Sequence, residues 1–342
     1  MPSICARSSI RRWQKIVATA TRWPRKTAPP TIARRMGRRK RGQDIDGVVL
    51  LDKPLGCSSN AALQRVRRAF DARKAGHTGS LDPLASGLLP VCLGEATKVS
   101  SYLLAADKTY RVTALHGAQT ATGDGEGDVV ARSDVAMPDR ETLESILARF
   151  VGPQQQIPPM YSALKKDGKR LYEHARAGET VEREPRAITV HSIQLIDCGA
   201  HSFTLETRVS SGTYIRTLVE DIAAAWQSVA HVGSLHRTAI GRLGTELGMT
   251  PLADIEERAA AGESLDEWLL PLSVAVADWP NVVLDQSSAA AMNHGRPVAC
   301  PAGTVNAQTL CIQDDAGQIL GLGYIDERGM LAPRRLFARP QR

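Results

Sequence analysis

The chain of 342 residues lacks long apolar runs, and none approaches the roughly 18 to 20 residues that a membrane-spanning helix needs. Its six cysteines are scattered, with no C-x-x-C pair and no Cys/His cluster at the spacing of a metal site. The sequence also has no phosphate-binding G-x-x-x-x-G-K-S/T loop. We therefore expect a soluble cytoplasmic protein with reduced thiols, without disulfides, metal or cofactor, whose chemistry is done by side chains.

Acidic residues are absent from the first 43 residues, which contain 13 of the 43 Lys and Arg. The rest of the chain has 30 basic residues against all 36 acidic ones, so the overall charge of +7 does not by itself indicate nucleic-acid binding. We interpret residues 1–43 as a disordered basic extension. Three origins stay open: an RNA-gripping tail, an organelle transit peptide, or translated sequence upstream of a true start at Met36.

The most informative stretch is a glycine-bordered loop around Asp82, within GHTGSLDPLASGLLPVCLG at residues 76–94. Pro83 favours an extended backbone at Asp82. The apolar run 88–93 predicts a buried strand behind the loop. A charged side chain on a loop held by a rigid element is a common arrangement for chemistry. An isolated Asp before Pro is more often a cap or turn residue, so the loop alone leaves the role of Asp82 open.

Hydrophobic periodicity and cap residues predict strands alternating with helices on both sides of this loop. The predicted strands are 47–51, 109–115, 188–196 and 203–209. The predicted helices run from Ser58 or Ser59 to near Ala72, and over 95–104, 138–150, 251–261 and 265–270. Short strands with Gly and Asp turns follow in residues 281–338. This order of elements predicts an α+β enzyme with a C-terminal β-rich module that begins near residue 279.

Basic residues cluster at two places after the N-terminal extension. The predicted helix before the Asp82 loop carries Arg65, Arg67 and Arg68, which fit either a solvated face or contacts with phosphates. A Gly-containing hairpin in residues 154–178 carries several Lys and Arg beside aromatic residues. That second cluster is a plausible phosphate-gripping arm, and binding through it should be sensitive to salt.

The string GHTGSLDPLASGLLPVCLGEATK resembles the signature loop of the TruB family, the tRNA pseudouridine-55 synthases. Further matches occur in family order and together span most of residues 46–243: VLLDKPLG at 49–56, KTYRV at 108–112, MYSA at 160–163, GKRL at 168–171, GTYIRTL at 212–218 and VGSLHR at 232–237. The chain departs from the family at QTAT, residues 119–122, where bacterial relatives have Arg-Thr-Asp-Thr. The contacts of that loop are therefore left open.

The resemblance implies a pseudouridine-synthase fold, with a mixed, largely antiparallel central sheet, a thumb-like insertion and a small C-terminal PUA-like domain. We assign residues 44–278 to the catalytic domain, with an RNA-gripping insertion at about 118–187, and residues 279–342 to the PUA-like module. That module either binds RNA or only stabilises the core.

The resemblance also implies catalytic roles. Asp82 corresponds to the nucleophile, and Arg216 to the arginine that pairs with it and keeps a buried carboxylate ionised. Tyr110 corresponds to the tyrosine that stacks on the target base, and its hydroxyl could help to remove the C5 proton. Read without the resemblance, a strand tyrosine is most often packing and a lone arginine is most often on the surface.

Four further residues are assigned to substrate binding. Tyr214 matches the family's second aromatic at the base pocket, and Leu235 matches a position that contacts the base. His77 is expected to displace or replace the flipped nucleotide, with a loop-organising role as the alternative. Lys53 is expected to brace the active-site loop through an ion pair or a structural contact.

The implied function is a stand-alone isomerase that converts uridine 55 in the tRNA T-loop to pseudouridine by base flipping. We expect a monomer that contacts the T-stem and T-loop, needs no obligate protein partner and binds no membrane. Whether Asp82 attacks C1′, attacks C6 or assists glycal formation stays open. Two rivals also remain: an RNA chaperone without catalysis, and a synthase that works only with guide RNA and protein partners.

Overall fold

The computed structural model describes residues 42–166 and 168–341. The predicted N-terminal extension, up to residue 41, lies outside the described residues together with Met36. Gln43, which was assigned to that extension, already belongs to the folded part, because its N–H donates to Asp71 O at 2.6 Å and its carbonyl accepts from Arg73 N at 2.9 Å. The described fold therefore begins slightly earlier than predicted.

Nineteen strands occur in the described residues. They are β1 Gly47–Lys53, β2 Ala75–His77, β3 Ala85–Leu93, β4 Lys108–His116, β5 Ala118–Thr120, β6 Val129–Arg132, β7 Gly152–Gln156, β8 Lys165–Lys166, β9 Lys169–Arg170, β10 Arg186–Cys198, β11 Ser202–Val209, β12 Ala230–Ile240, β13 Leu243–Gly244, β14 Thr250–Pro251, β15 Asn281–Leu284, β16 Val298–Ala299, β17 Leu310–Asp314, β18 Ile319–Ile325 and β19 Met330–Gln341.

Eight α-helices accompany them in the same ranges. They are α1 Ser59–Ala69, α2 Ser100–Ala105, α3 Arg140–Ala148, α4 Leu171–Arg176, α5 Ile215–Ala224, α6 Leu252–Ala260, α7 Leu272–Val276 and α8 Gln286–Asn293. Among the helices of 42–166 and 168–341, none is long and apolar enough to cross a lipid bilayer.

A ten-stranded mixed sheet forms the centre of the molecule. Its main path runs β14-β1-β3-β12-β4-β11-β10-β7, while β2 pairs with β3 and β13 with β12. The β1/β14 and β3/β12 pairs are parallel, and the remaining pairs are antiparallel. The mixed, largely antiparallel sheet predicted from the sequence is confirmed.

Strand β3 is the apolar run predicted behind the Asp82 loop, and it is covered on both faces. Because alternate side chains of a strand point to opposite faces, Leu89 and Val91 pack with α1 and α6 in one core cluster. Leu88 and Cys92 point the other way, into a second cluster. A strand that is buried on both faces needs a continuous apolar sequence rather than an alternating one, which explains the pattern of residues 88–93.

Helix α1 begins where the sequence predicts. The Ser58 hydroxyl accepts a hydrogen bond from Ala61 N at 3.2 Å, which is the expected cap contact. Ala62, Leu63 and Val66 form the buried face of the helix. The helix ends three residues before the predicted boundary, and Asp71 then adopts a left-handed backbone with φ of 46°.

Two predicted helices are wrong in extent. Residues 95–104 were predicted as one helix, but the chain forms a 3₁₀ turn at Gly94–Lys98 and then the short helix α2. Residues 265–270 form a 3₁₀ turn at Asp266–Trp268 instead of an α-helix, and Leu270 makes an isolated bridge with Val48. Apolar periodicity over six to ten residues is compatible with consecutive short turns, which is why it overestimates these helices.

The C-terminal residues form a second, five-stranded sheet in the order β15-β17-β18-β19-β16, with α8 packed against it. Short strands were predicted here, whereas α8 was not. Cys311 and Leu322 of this sheet share a core cluster with Val48 of β1 and Cys92 of β3. The two sheets are therefore joined by one continuous hydrophobic core.

The predicted insertion contains the antiparallel β8–β9 hairpin followed by α4. Lys165, Lys166, Lys169 and Arg170 of the hairpin are all exposed. The guanidinium groups of Arg170 and Arg176 lie 5.9 and 5.5 Å from the ring centre of Tyr172. We call this unit, residues 165–176, the arm.

Candidate active site

A cavity of about 300 Å³ opens where the Asp82 loop, β4, β12 and the start of α5 meet. Five of the seven site residues predicted from sequence line it: Asp82, Tyr110, Tyr214, Arg216 and Leu235. Residues that are up to 153 positions apart in the chain are thus brought together, as Asp82 and Leu235 illustrate. The volume is at the lower end of the range for sites that bind small molecules.

Helix α1 holds the Asp82 loop from below. The Ser59 hydroxyl accepts from Leu81 N at 2.7 Å and lies 3.0 Å from Leu81 O, to which it donates. Gly56 N donates to Pro83 O at 2.8 Å, and Ala85 N donates to Asp82 O at 3.0 Å. The backbone on both sides of Asp82 is therefore fixed, which limits where its carboxylate can point.

Arg216 lies in the first turn of α5 and contacts the Asp82 carboxylate, with Nη2 3.0 Å from Oδ2. Its side chain is only 7% exposed, whereas that of Asp82 is 49% exposed. The prediction of a buried carboxylate is therefore wrong. The arginine is the group removed from water, and the aspartate faces the open cavity.

Arg216 has three further partners, which no sequence argument identified. Its guanidinium donates to Thr122 O and Tyr161 O, each at 2.7 Å, and Nη1 lies 3.5 Å from Asp124 Oδ2. The Asp124 side chain is 5% exposed. Anionic and carbonyl partners of this kind offset the hydration that a buried cation loses.

Asp124 is the main site residue that sequence reasoning missed. It lies in the Gly-rich, acidic segment of residues 117–128, which the sequence suggested only as a turn or mobile loop. The segment is docked against β12, because Val232 N donates to Gly123 O and Gly125 N donates to Val232 O, both at 3.0 Å. The acidic composition of residues 117–128 was the available sequence signal, and it does not reveal that Asp124 meets Arg216, 92 positions further along the chain.

The aromatic residues line the cavity walls. Tyr110 is 8% exposed on β4, and Leu235 is 9% exposed on the neighbouring β12. Tyr214 caps α5, and its backbone exchanges two hydrogen bonds with the Gln156 side chain, at 2.8 and 3.1 Å. Burial raises the pKa of the Tyr214 phenol, so this group stays protonated and neutral near pH 7.

His77 and Lys53 do not line the cavity. His77 ends β2, and burial together with the nearby Arg237 lowers the pKa of its imidazole, which favours the neutral ring. Lys53 is fully buried, and its ammonium group donates to Pro54 O at 2.8 Å and to Cys57 O at 2.6 Å. An ion pair or a structural contact was predicted for Lys53, and these hydrogen bonds to carbonyl oxygens are structural contacts. The functional roles of His77 and Lys53 stay predictions.

Two more cations line the cavity without having been predicted, Lys108 and Arg237. Lys108 was noted only as part of a motif around Tyr110, and Arg237 only as part of a motif around Leu235. Within the described ranges, no group of three His, Cys, Asp or Glu side chains is placed to hold a metal ion.

Family models match the chain in three consecutive blocks. The TruB family pseudouridylate synthase N-terminal domain matches residues 67–215, the tRNA pseudouridylate synthase B C-terminal domain matches 216–277, and the C-terminal domain of pseudouridine synthase II TruB matches 280–337.

Relatives of known name are similar over almost their full length. The chain is 48% identical over 297 residues to tRNA pseudouridine synthase B of Pseudomonas putida, covering 86% of this chain and 96% of the relative. It is also 48% identical over 301 residues to the protein of that name from Nitrosococcus oceani, covering 88% and 97%.

Solved structures share the fold. A structure of an H/ACA RNP bound to a substrate RNA containing 2′-deoxyuridine has a TM-score of 0.67 at 22% identity, covering 86% of this chain and 85% of that chain. A Cbf5-Nop10-Gar1 complex has a TM-score of 0.66 at 25% identity, covering 86% and 84%. The predicted pseudouridine-synthase fold is confirmed.

Proposed function

The chain belongs to the TruB family of pseudouridylate synthases and is an isomerase that makes pseudouridine in tRNA, and we propose that its target is uridine 55 of the T-loop. The observation that carries the catalytic part of this proposal is the contact between Arg216 and Asp82 at the cavity wall. A half-exposed carboxylate that is held by a buried guanidinium is placed to act as a nucleophile.

The reaction breaks the bond from ribose C1′ to N1 of uracil, turns the base and joins C1′ to C5. No redox step is involved, so one carboxylate and its supporting residues suffice. A base within a folded T-loop has to be flipped out first, at a cost of roughly a few kcal/mol that binding in the pocket offsets. Tyr110, Tyr214 and Leu235 supply aromatic and apolar walls suited to an extruded base.

The arm supports recognition of RNA around the target. Its exposed lysines and arginines, beside the partly buried Tyr172, offer phosphate contacts and a stacking surface. The Tyr161 carbonyl just before the arm accepts from Arg216, and Ser162 and Ala163 line the cavity. We assign the T-stem and T-loop as the segment gripped by residues 118–187.

We further propose that the protein acts alone, as a cytoplasmic monomer. Residues 44–278 form the catalytic domain in this proposal, and residues 279–342 form a PUA-like module that adds contacts with RNA. Exposed Arg328, Arg334 and Arg335 are available there for phosphates.

The test uses the purified full chain and an unmodified tRNA transcript that carries tritium at uracil C5. Release of tritium, with pseudouridine mapped to position 55, is the expected result. Pseudouridine at another position would contradict the target. Binding without release would favour the RNA chaperone.

The shared fold with Cbf5 in its complexes with Nop10 and Gar1 favours one specific rival, a synthase that depends on guide RNA and partner proteins. Activity of the isolated protein on naked transcript would exclude that dependence. Activity that appears only after a cell extract is added would support it.

A further inference from the structure

Two buried cations lie at the floor of the cavity. Lys108 is 7% exposed and Arg237 is 1% exposed, and both line the same cavity as Asp82. Within residues 42–166 and 168–341, neither forms an ion pair. The adjacent Asp107 carboxylate is instead engaged by Arg208 at 2.7 Å and by His191 at 3.2 Å.

In the part of the chain that the structure describes, the hydrogen bonds of both cations go to backbone carbonyls. Arg237 donates through Nε to Leu88 O at 2.8 Å and through Nη2 to Gly79 O at 3.0 Å. Lys108 donates to Leu104 O at 2.7 Å and to Ala106 O at 2.6 Å. These carbonyls satisfy N–H groups but do not neutralise a full positive charge.

Both side chains lie against Gly79 in the Asp82 loop. A Cβ atom built on Gly79 would lie 3.6 Å from both Arg237 Nη1 and Lys108 Cε. Burial and the nearby Arg237 lower the pKa of Lys108 to about 8. Two like charges that approach each other out of water are unfavourable, and strongly perturbed groups of this kind in a cleft are candidates for function.

Bracing the fold does not require these charges. Neutral donors such as an amide could hydrogen-bond to the same carbonyls without the desolvation penalty of a cation. Of the cations that line the cavity, Arg216 is engaged by the carboxylates of Asp82 and Asp124, whereas Lys108 and Arg237 have no carboxylate partner in the described residues. The cavity therefore has capacity for an additional negative charge.

We propose that Lys108 and Arg237 form an anion-stabilising floor that offsets the negative charge developing on the uracil ring during the reaction. This inference rests on the proposed function. In it, Lys108 and Arg237 act at the same site as Asp82 and recognise the uracil in its anionic form.

The chemistry requires such an anion whichever route Asp82 takes. If the carboxylate attacks C1′, the C1′–N1 electron pair stays on the uracil and spreads to its carbonyl oxygens. If a glycal forms, loss of the 2′ proton expels the same uracil anion. If the carboxylate attacks C6, the C5–C6 electron pair moves onto O4 as an enolate. Preorganised cations stabilise such a developing charge without reorganisation.

The test compares Lys108→Met with wild type in single-turnover reactions on a T-arm RNA. Lys98→Met is the matched control, because Lys98 pairs with Glu95 at 2.7 Å and lies outside the cavity lining. We expect Lys108→Met to slow the reaction on the order of 10²-fold. Lys98→Met should retain the wild-type rate.

A second substrate separates charge stabilisation from a structural role. A T-arm RNA with 5-fluorouridine at the target carries a more acidic uracil, which needs less help to become an anion. Consumption of the N1-linked nucleoside is measured after digestion. The rate of Lys108→Met relative to wild type should be reduced much less on this RNA than on the uridine RNA. An equal deficit on both RNAs, or no deficit on either, would overturn the proposal.

Two matched variants of Arg237 test the proposal independently if Lys108→Met fails to fold. Arg237→Lys keeps the charge, whereas Arg237→Gln keeps hydrogen-bond donors without it. The lysine variant should be faster than the glutamine variant, and the reverse order would contradict the proposal. If wild type makes no pseudouridine, the proposed function itself fails, which is distinct from a failure of this inference.

Discussion

At the scale of single residues, the site is one carboxylate among cations. Asp82 faces the cavity beside Arg216, while Lys108 and Arg237 lie beneath its loop and the Lys53 ammonium is buried nearby. The carboxylate is the most exposed member of this group, and the cations are the buried ones. Substitution of the aspartate should therefore affect chemistry more than folding.

Asp82→Asn should abolish turnover and leave tRNA affinity largely intact, because phosphate contacts elsewhere supply most of the affinity. Tritium release and filter binding measure the two quantities on the same RNA. Asp128→Asn, a change of the same kind at an exposed residue, is the control and should retain turnover. Substantial turnover by Asp82→Asn would contradict the assignment of Asp82 as the nucleophile.

The pKa of Lys108 also has a consequence for stability. Its value of about 8 lies below the ordinary 10.5, so the folded protein binds this proton less tightly than the unfolded chain. The resulting penalty is fully present below pH 8 and is relieved as the pH rises from about 8 to 10.5.

The contribution of Lys108 to the free energy of unfolding should therefore increase by a few kcal/mol across that window. Urea unfolding of wild type and Lys108→Met at a series of pH values measures it. The difference between the two proteins should change with pH in this direction. A difference that stays constant from pH 7 to 10 would contradict the shifted pKa.

At the scale of elements, helix α1 is the support of the catalytic loop. Consecutive serines at its start have separate tasks: Ser58 caps the helix, and Ser59 exchanges two hydrogen bonds with Leu81. The pair allows the stability of the helix to be separated from the placement of the loop.

Ser59→Ala should lower both stability and turnover, because it leaves the buried N–H and C=O of Leu81 without their partner. The loss of stability should be about 1–3 kcal/mol. Ser58→Ala should lose about 1 kcal/mol through the missing cap and keep near-normal turnover. Thermal unfolding and single-turnover rates measure both. Equal effects on turnover would show that α1 does not position the loop separately.

Elements close to the Asp82 loop were predictable because their signals are local. The cap at Ser58, the apolar run of β3 and the alternation of β4 each lie within about ten consecutive residues. Asp124 was not predictable, because its inward direction depends on docking against Val232, more than a hundred positions away. The break at Val99 depends in the same way on packing that the sequence does not reveal.

The residues of the site also divide into those that the sequence predicts and those whose role depends on the tertiary structure. The motif resemblance identified Asp82, Tyr110 and Arg216, and the structure brings them to one cavity. It did not indicate that Lys108 and Arg237 carry charges without an ion-pair partner in the described residues. That property belongs to the tertiary arrangement, because any lysine or arginine in a sequence could have a carboxylate beside it once folded.

At the scale of the whole molecule, the C-terminal sheet and the main sheet share a core. Leu322 is fully buried in the cluster that also contains Val48 of β1. The two sheets should consequently unfold together rather than as independent domains.

Leu322→Ala should destabilise the entire protein by about 2–5 kcal/mol, since it removes buried methyl groups and leaves a cavity. A single unfolding transition is expected, at a lower urea concentration. Val305→Ala, at a 61% exposed residue, should change stability by less than about 0.5 kcal/mol. Two separate transitions in Leu322→Ala would contradict a common core.

The ends of the ten-stranded sheet bear on self-association. An open sheet of this width presents edge strands that can pair with another chain and start aggregation. Here β14, at one end, has only two residues, and one of them is Pro251. At the other end β7 has five residues and contains Pro153, which has no N–H to donate. A strand from a second copy could therefore form few hydrogen bonds with either end of the sheet. We expect too few for edge-to-edge pairing to propagate into a fibre.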